Sequence, residues 1–462
     1  MSNYRVERDL VGELKVPQKA YYGIHTLRAV ENFPISGDSL PCHLISAITL
    51  IKKACAITNM EDGKLEKEKA EAIIRACDEV LAGKYHDAFL VDPIQGGAGT
   101  STNMNANEVI ANRAIEILGG IPGDYSIVNP NDHVNMGQST NDVYPSAVKL
   151  ALFAACTELI GELERLISAF EGKANQFNHI VKIGRTQLQD AVPIRLGQEF
   201  GAYAAVVSRE LARLRSKQEE LLMVNLGGTA IGTGLNASKS YIKNVVPVLS
   251  RISGLSVRQN RDLIDGTQNI DVFTAFSGAL KGCAISLSKI CNDLRLMSSG
   301  PRCGLGEIHL PARQNGSSIM PGKVNPVIPE VINQIAFKII GFDTTVSLAV
   351  EAGQMELNAF EPIVFDSLYH GIMLLKNGVA TLIDHCVSGI TADEQVCRME
   401  TEQSVSLVTA LCPYIGYNRA CDLAKEALAK NKTLKDIVKQ NKLIPDEILC
   451  SILDAKAMTG EM

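Results

Sequence analysis

Several signatures of common binding and redox sites are missing from this sequence. No CxxC pair occurs, and none of the 12 cysteines lies at zinc-ligand spacing from a histidine. The GxxxxGK[ST] loop that binds nucleotide phosphates is also missing. We therefore expect reduced, mostly buried thiols, no metal site and no cofactor.

Membrane-spanning runs and a strong charge imbalance are missing as well. The segment 1–16 alternates charged with apolar residues and lacks the apolar core of a secretory signal. The most apolar long run, 331–350, contains Asn333, Lys338 and Asp343, which argues against a membrane span. A net charge of −6 and a pI of 5.8 disfavour nucleic acid and acidic membrane as partners, yet leave room for a locally positive pocket. These features predict a cytoplasmic protein.

Helical periodicity dominates what is present. Two stretches place apolar residues at steps of three and four, as the buried face of a helix requires. The first stripe comprises Val148, Leu152, Ala155, Leu159, Leu163, Leu166 and Phe170. The second stripe comprises Leu196, Phe200, Tyr203, Val207, Leu211 and Leu214. Charged residues beside the second stripe predict a solvated face: Arg209, Glu210, Arg213, Arg215, Lys217 and Glu219.

The run 331–350 is apolar nearly all round, so a helix there must be surrounded on every side. It is either the central helix of a monomeric bundle or a helix that packs against other copies of the chain; we favour the second. Further long helices are predicted around 271–296 and 361–383. The fold class is thus mainly α, with a central bundle of about five long helices. We predict a mixed, mostly helical N-terminal domain (1–138), a helix-bundle domain (139–393) and a small helical C-terminal domain (394–462).

Four loops are rich in small hydroxyl and amide residues: 95–103, 129–142, 184–190 and 316–326. Taken singly, each is explained by helix capping, as is Ser139-Thr140-Asn141-Asp142 before the first stripe. Together they offer many hydrogen-bond donors to one small dicarboxylate. The glycine-rich stretch 227–234 follows a predicted helix, 196–224, and lacks a surrounding βαβ pattern, so we interpret it as a structural turn. His133 is interpreted as a hydrogen-bonding anchor.

Five segments carry a resemblance to a known family: GGAGTSTNMNANE (96–108), NPNDHVNMGQSTND (129–142), GRTQLQDAVP (184–193), GGTAIGTGLN (227–236) and GSSIMPGKVNP (316–326). With them, essentially the whole chain resembles the aspartase and class II fumarase superfamily. RTQLQDAVP and LPARQNGSSIMPGKVNPVIPE are similar to its aspartase branch. The resemblance implies a homotetramer built around long helices, in which loops from three subunits form each active site. It also implies reversible elimination of ammonia from L-aspartate to give fumarate.

The resemblance further implies a role for each of ten residues. The β-carboxylate would be bound by Thr100, Ser139, Thr140 and Ser318. The α-carboxylate would be bound by Lys323 and Asn325, and the ammonium by Asn141, Thr186 and Gln187. Ser317 would be the general base that removes a proton from Cβ to give an enediolate. Backbone donors and the nearby lysine charge could activate its hydroxyl. Gly316 and Gly322 bracket this loop and suggest a mobile lid.

The sequence leaves rival functions open. Class II fumarases carry histidine where this chain has Gln187, paired with a glutamate that Glu330 matches. Malate's hydroxyl needs a proton donor to leave, whereas the protonated amine of aspartate leaves as ammonia without one. Glutamine therefore favours the ammonia-lyase over fumarate hydratase, the first alternative. Argininosuccinate and adenylosuccinate lyases share the loop 316–326, here called the serine loop, but their other motifs fit this chain poorly. A non-catalytic oligomeric scaffold is disfavoured because Ser317 and Lys323 are present.

Overall fold

The computed structural model describes residues 3–460, and helices dominate this part of the chain. The N-terminal elements are β1 (Tyr4–Asp9), β2 (Gly12–Pro17), α1 (Ile24–Asn32), α2 (Cys42–Glu61), α3 (Lys67–Leu81) and α4 (Thr100–Ile117). The middle of the chain forms α5 (Thr140–Gln176), β3 (Val181–Thr186), β4 (Gln189–Arg195), α6 (Leu196–Glu220), β5 (Met223–Val224), α7 (Lys239–Ser253), β6 (Arg258–Gln259), α8 (Leu263–Gln268), α9 (Asp271–Met297), β7 (Ile308–His309), α10 (Val327–Glu351), α11 (Glu361–His385) and β8 (Thr391–Ala392). The C-terminal part forms α12 (Glu394–Gln403), α13 (Cys412–Ile415), α14 (Tyr417–Lys430), α15 (Leu434–Gln440) and α16 (Asp446–Ile452). The predicted mainly α class is confirmed.

Between residues 3 and 460, the strands form two-stranded pairs and no larger sheet. β1–β2, β3–β4 and β7–β8 are antiparallel, and β5–β6 is parallel. Pairs of strands this short cannot bury a core of their own, so the helices must supply it. The strands serve instead to shape loops and turns.

The chain divides into two compact units. Unit 1 comprises the chain up to Ile160, together with Ala212–Gly282 and Phe337–Leu375. Unit 2 comprises Gly161–Leu211, Cys283–Ala336 and the chain from Lys376 onward. The three-domain division at 138/139 and 393/394 remains a prediction.

In unit 1, α2 packs against α3 and α7, and α3 packs against α4. Ile73 of α3 and Ile110 of α4 are fully buried in one apolar cluster. Tyr241 of α7 is also buried, and its hydroxyl donates to the Cys55 thiol of α2. This core holds the C-terminal half of α4, the helix whose N-terminal end follows the polar loop 95–103.

In unit 2, segments of five long helices contact one another in a closed order. Successive contacts are α5–α6 through Phe170 and Phe200, α6–α9 through Glu210 and Ser286, α9–α10 through Ser288 and Asn333, α10–α11 through Ile335 and Gly378, and α11–α5 through Asp384 and Arg165. This arrangement is the predicted five-helix bundle.

Both predicted apolar stripes are buried. Phe170 and Phe200, one from each stripe, are fully inaccessible to solvent. The prediction of a solvated charged face beside the second stripe is wrong at Glu210. This residue is buried and accepts a hydrogen bond from the Ser286 hydroxyl. Seven of the 12 cysteines are buried, as expected. Within the described residues α5 alone is long and apolar enough to cross a membrane, but 78% of its most apolar window is buried, as in a core helix.

α10 carries an apolar face that this chain does not cover. Ile332, Ile339 and Val346 are buried, whereas Phe337 and Leu348 on another face are 64% and 65% exposed. The helix is therefore not enclosed within one chain, and the central-helix alternative is wrong. An exposed apolar stripe on a long helix is typical of a surface that packs against another protein.

Candidate active site

The ten predicted site residues fall into two groups. Unit 1 contains Thr100, Ser139, Thr140 and Asn141, whereas unit 2 contains Thr186, Gln187, Ser317, Ser318, Lys323 and Asn325. Each group lies in loops or at the ends of secondary-structure elements. Loops held on a rigid scaffold are where binding and catalytic residues concentrate.

Thr100 is the first residue of α4, and its hydroxyl donates to the carbonyl oxygen of Gly97 at 2.7 Å. The preceding Gly99 has a φ of +85°, and a Cβ there would lie 2.3 Å from the ring of Tyr144. Only glycine fits this position, so the turn presents Thr100 at the exposed N-terminal end of the helix. The N-terminal end of a helix favours bound anions, although two N–H groups here already have partners: that of Thr100 donates to the Gly97 carbonyl oxygen and that of Thr102 to Gln95 Oε1.

Ser139 precedes α5 and caps it, as predicted. Its hydroxyl oxygen accepts from the Asn141 backbone N–H at 3.2 Å, and its own backbone N–H donates to Asp142 Oδ1 at 2.9 Å. This reciprocal pair is a capping box. Because the Ser139 oxygen acts as an acceptor here, its O–H remains available as a donor to a ligand.

Asp142 joins this loop to the glycine-rich stretch, a role the sequence analysis missed. Its Oδ2 accepts from the backbone N–H groups of Gly227 and Thr229 at 3.0 and 3.1 Å. The side chain is fully buried, and burial raises the pKa of the Asp142 carboxyl to about 6. The glycine-rich stretch is thus a structural turn, as interpreted, and its donors are occupied by a protein carboxylate.

The predicted surroundings of that stretch need correction. α6 ends at Glu220, and the short strand β5 then precedes the glycines. β5, α7 and β6 form a small parallel unit, so a strand and a crossover helix do flank the turn. These strands are two residues long, too short for periodicity in the sequence to reveal them.

Asn141 and His133 are both held by backbone contacts. The Asn141 Nδ2 donates to the carbonyl oxygen of Ala230 at 2.8 Å, which leaves Oδ1 as an acceptor for an ammonium. His133 Nδ1 accepts from the backbone N–H of Asn129 at 2.8 Å, and burial lowers the pKa of the imidazole. His133 is therefore a hydrogen-bonding anchor, as predicted.

Thr140 is linked to the first polar loop through Asn103. The Asn103 Nδ2 donates to Thr140 Oγ1 at 3.2 Å. Asn103 lies in the first turns of α4, which begins at Thr100. The N-terminal parts of α4 and α5 therefore meet in unit 1, and the structure brings the Thr100 and Thr140 segments together.

Thr186 and Gln187 lie at the tip of the β3–β4 hairpin in unit 2. Thr186 pairs with Gln189 across a two-residue turn, in which Gln187 and Leu188 have φ values of 53° and 62°. A turn with two positive φ angles normally selects asparagine or glycine. Side chains held in this region store strain, which often marks a functional position.

A buried ionic network supports the base of this hairpin. Glu307 is fully buried and contacts Arg185 at 2.5 Å and Lys182 at 2.9 Å. Arg185 also binds Glu400 at 2.9 Å. Removing one partner of such a network leaves a buried charge unpaired, which is strongly unfavourable. The network therefore holds the hairpin rigidly. These residues carry no local signal in the sequence, because their partners lie far away along the chain.

The serine loop is closed at its neck by two hydrogen bonds. The Gly316 N–H donates to the Lys323 carbonyl oxygen at 2.7 Å, and Asn325 Nδ2 donates to the Gly316 carbonyl oxygen at 2.8 Å. A Cβ on Gly316 would lie 2.6 Å from that Lys323 oxygen. The neck thus requires glycine, and it fixes Ser317 and Lys323 in one small loop.

Within the loop, Ser317 Oγ accepts from the backbone N–H groups of Ile319 and Met320 at 3.2 and 3.0 Å. Donors aimed at an oxygen stabilise its anionic form. These are the backbone donors that the sequence analysis expected. Ser318, Ile319 and Lys323 are exposed in the same loop, whereas Ser317 is half-buried. An exposed loop with apolar side chains at its tip is suited to fold over a ligand.

In residues 3–460 no cluster of three or more His, Cys, Asp or Glu side chains could hold a metal ion. The predicted site residues supply instead hydroxyls, an amide and helix N-terminal ends in unit 1, and hydroxyls, amides and one lysine in unit 2. Such groups can bind carboxylates and stabilise developing negative charge.

Comparisons with known proteins agree with this chemistry. The sequence profile of the family described as Lyase matches residues 12–341, and the profile described as Fumarase C C-terminus matches residues 407–460. Aspartate ammonia-lyase from Bacillus subtilis (strain 168) is 50% identical over 456 residues, which cover 99% of this chain and 96% of that protein. Aspartate ammonia-lyase from Pseudomonas canavaninivorans is 51% identical over 460 residues, which cover 99% of this chain and 97% of that protein.

Solved structures give the same result for the fold. A fumarate lyase:delta crystallin from Brucella melitensis bound to cobalt is 50% identical, with a TM-score of 0.97 over 99% of this chain and 100% of that chain. A recombinant class II fumarase from Schistosoma mansoni is 33% identical, with a TM-score of 0.95 over 99% of each chain. Sequence and fold thus agree over nearly the full length. This chain belongs to the lyase family that contains the aspartate ammonia-lyases and the class II fumarases.

Proposed function

We propose that this protein is an aspartate ammonia-lyase, a carbon–nitrogen lyase that reversibly eliminates ammonia from L-aspartate to give fumarate. The observation that carries the proposal is the Ser317 hydroxyl, whose oxygen accepts two backbone hydrogen bonds in the loop that also bears Lys323. The full-length similarity to bacterial aspartate ammonia-lyases supports the same substrate. We further propose that the enzyme acts in the cytoplasm and without a cofactor.

The reaction begins with removal of a proton from Cβ of aspartate. This carbon is weakly acidic because the adjacent carboxylate already carries a negative charge. Ser317 Oγ takes the proton, and the N–H groups of Ile319 and Met320 stabilise the alkoxide that does so. The electron pair left on Cβ moves into the β-carboxylate, which becomes a dianionic enediolate.

Stabilising that enediolate is the largest catalytic demand. Hydroxyl and backbone donors from Thr100, Ser139, Thr140 and Ser318 surround the β-carboxylate in the proposed complex. The Thr100 hydroxyl there exchanges its hydrogen bond to the Gly97 carbonyl oxygen for one to the carboxylate. Losing one such donor typically lowers the rate by about 10²–10³. The N-terminal ends of α4 and α5 add partial positive charge beside Thr100 and Thr140.

The remaining residues bind the other end of the substrate. Lys323 and Asn325 bind the α-carboxylate, where lysine supplies a fixed positive charge. Asn141 Oδ1, Thr186 and Gln187 accept hydrogen bonds from the ammonium. In the second step the Cα–N bond breaks, its electron pair leaves with ammonia, and the enediolate collapses to fumarate. The amine leaves as neutral ammonia without an acid, so Gln187 suffices where malate would need a proton donor.

The active enzyme is proposed to be a homotetramer whose sites take loops from different subunits. The exposed apolar face of α10, with Phe337 and Leu348, gives each chain a surface for a second copy. Covering such a face removes apolar area from water, which is the main favourable term in obligate association.

The activity is tested by mixing the purified protein separately with L-aspartate and L-malate and following the ultraviolet absorbance of fumarate. We expect fumarate from aspartate. Production from malate alone would assign the chain to fumarate hydratase, and production from neither would favour a non-catalytic scaffold.

Shared sites are tested by mixing two inactive variants. Ser317→Ala and Thr140→Val chains are denatured together and refolded as mixed tetramers. If Ser317 and Thr140 of one site come from different subunits, about a quarter of the sites in random tetramers contain both intact residues. Recovery of that activity supports shared sites. Mixed tetramers that remain inactive show that one chain supplies both residues.

A further inference from the structure

A buried polar network lies behind Thr140 in unit 1, and the proposed mechanism does not use it. At its centre, Asn135 Oδ1 accepts from Lys52 Nζ at 2.9 Å and from Nδ2 of Asn103 and Asn107 at 3.2 Å each. Lys52 Nζ also donates to Gln138 Oε1 at 2.8 Å. Lys52 is fully buried, although lysine is almost never buried without a specific partner.

The network fixes which way each amide points. Asn135 Nδ2 donates to the Gln138 carbonyl oxygen at 3.2 Å, so Asn135 Oδ1 must be the atom that faces Lys52 and Asn103. Asn103 must then present its Nδ2 to that oxygen. The second hydrogen of the same Nδ2 points at Thr140 Oγ1, 3.2 Å away.

Asn103 keeps this orientation at a cost. Its Oδ1 is buried and has no hydrogen-bond partner among the described residues. A buried acceptor without a partner is unfavourable, so the rest of the network must hold the amide in this orientation. In this orientation Asn103 presents its Nδ2 donor, rather than an acceptor, to Thr140.

We infer that Asn103, held by Asn135 and Lys52, is a positioning residue that turns the Thr140 hydroxyl into a dedicated donor. Because Asn103 donates to Thr140 Oγ1, the Thr140 proton cannot point at Asn103. The proton points instead out of the network, where the proposed function places the developing enediolate. This inference rests on that function and on the position of Thr140 beside the β-carboxylate.

The decisive variant is Asn103→Asp, which has nearly the same shape but replaces the donor with an acceptor. The Thr140 hydroxyl would then donate to the introduced carboxylate and be lost to the substrate. We expect kcat/KM for aspartate to fall by about 10²–10³, mostly in kcat, as for loss of one oxyanion donor. Asn103→Ala removes the donor without adding charge and is measured alongside in case the Asn103→Asp variant does not fold.

A double-mutant cycle separates positioning from a structural role. If Asn103 acts through Thr140, adding Asn103→Asp or Asn103→Ala to Thr140→Val should lower kcat/KM by less than about threefold further. Multiplicative losses, or near-normal turnover of the single Asn103 variants, would overturn the inference. Asn105→Asp is the matched control, since Asn105 is equally buried on α4 but donates to the Ala88 carbonyl oxygen. It should lower stability and leave kcat/KM near normal.

The wild-type assay keeps the two proposals apart. If wild-type protein makes no fumarate from aspartate, the proposed function fails and the cycle is not needed to show it. If wild-type protein is active and the cycle is multiplicative, only the role of Asn103 fails.

Discussion

The hydroxyl oxygen of Ser317 accepts a hydrogen bond from the backbone N–H of Met320 at 3.0 Å. A serine hydroxyl is ordinarily far too weak an acid to serve as a base near neutral pH. This N–H, with that of Ile319, stabilises the alkoxide more than the neutral hydroxyl. The loop therefore has the local geometry that serine base catalysis requires.

Replacing Ser317 by alanine should abolish most turnover. We expect kcat for aspartate to fall by about 10³–10⁴, because the loss of a general base removes about that much rate. The loop is exposed, so melting temperature and oligomeric state should be unchanged. Ser168→Ala, at an exposed serine in the C-terminal part of α5, is the control. Fumarate absorbance gives kcat, and near-normal turnover by Ser317→Ala would remove this residue as the base.

Gly316→Ala should disable the enzyme without touching a reacting group. The added Cβ would lie within 2.6 Å of the Lys323 carbonyl oxygen and 2.8 Å of the Asn325 backbone nitrogen, so the neck must open. We expect kcat/KM to fall by at least about 10², the scale of a 1 Å misplacement at a catalytic centre. Gly278→Ala in α9, where a Cβ meets no atom within 4 Å, should keep full activity. A normal kcat/KM for Gly316→Ala would mean that the closed neck is not needed for catalysis.

Lys323→Met should weaken binding of any dicarboxylate. A charge-assisted hydrogen bond contributes about 1.5–3 kcal/mol, so KM for aspartate should rise about 10- to 100-fold. Calorimetric titration with succinate, which cannot react, measures the same loss without catalysis. Lys67→Met removes an exposed lysine of α3 and should change neither value. An unchanged KM and succinate affinity would assign the α-carboxylate to another residue.

The elements predicted correctly from sequence are those with a long, repeated signal. The stripe from Val148 to Phe170 repeats its apolar step often enough that only a buried helix face fits, and the face is buried. The Ser139 cap is equally local, since both of its partners lie within three residues. Short-range rules of this kind need no knowledge of the rest of the chain.

Apart from the two-residue strands β5 and β6, the features missed depend on partners distant in sequence. Glu210 looks like one more surface charge until α9 brings Ser286 beside it. Asp142 looks like one more capping residue, yet its second oxygen binds Gly227 and Thr229, some 85 residues away. No periodicity encodes such contacts, because tertiary packing decides them.

The β3–β4 turn provides a test in which stability and activity move in opposite directions. Gln187 and Leu188 have φ values of 53° and 62°, a region that costs a residue with a Cβ about 1–2 kcal/mol. Gln187→Gly and Leu188→Gly should each relieve part of that strain and raise the melting temperature slightly. Only Gln187→Gly should raise KM for aspartate, since Leu188 has no assigned contact with substrate. Equal effects of both variants on KM would mean that the turn geometry, rather than the Gln187 amide, serves binding.

Lys52 should leave a signature in the pH dependence of stability. Burial lowers the pKa of the Lys52 ammonium from 10.5 to about 7, so the unfolded chain binds the proton more tightly than the folded protein. Above pH 7, and up to the unfolded pKa, the unfolded state therefore holds more protons, and the Lys52 contribution to stability rises with pH. Lys52→Met removes that rise. The free energy of unfolding of the wild type, relative to that of the variant, should therefore increase by up to about 1.4 kcal/mol per pH unit between pH 7 and pH 10. Urea unfolding at several pH values measures the difference.

Ile51→Val, a buried neighbour on α2, should lower stability by about 1 kcal/mol equally at every pH. A Lys52→Met curve that stays parallel to the wild type would show that Lys52 is buried with its proton retained.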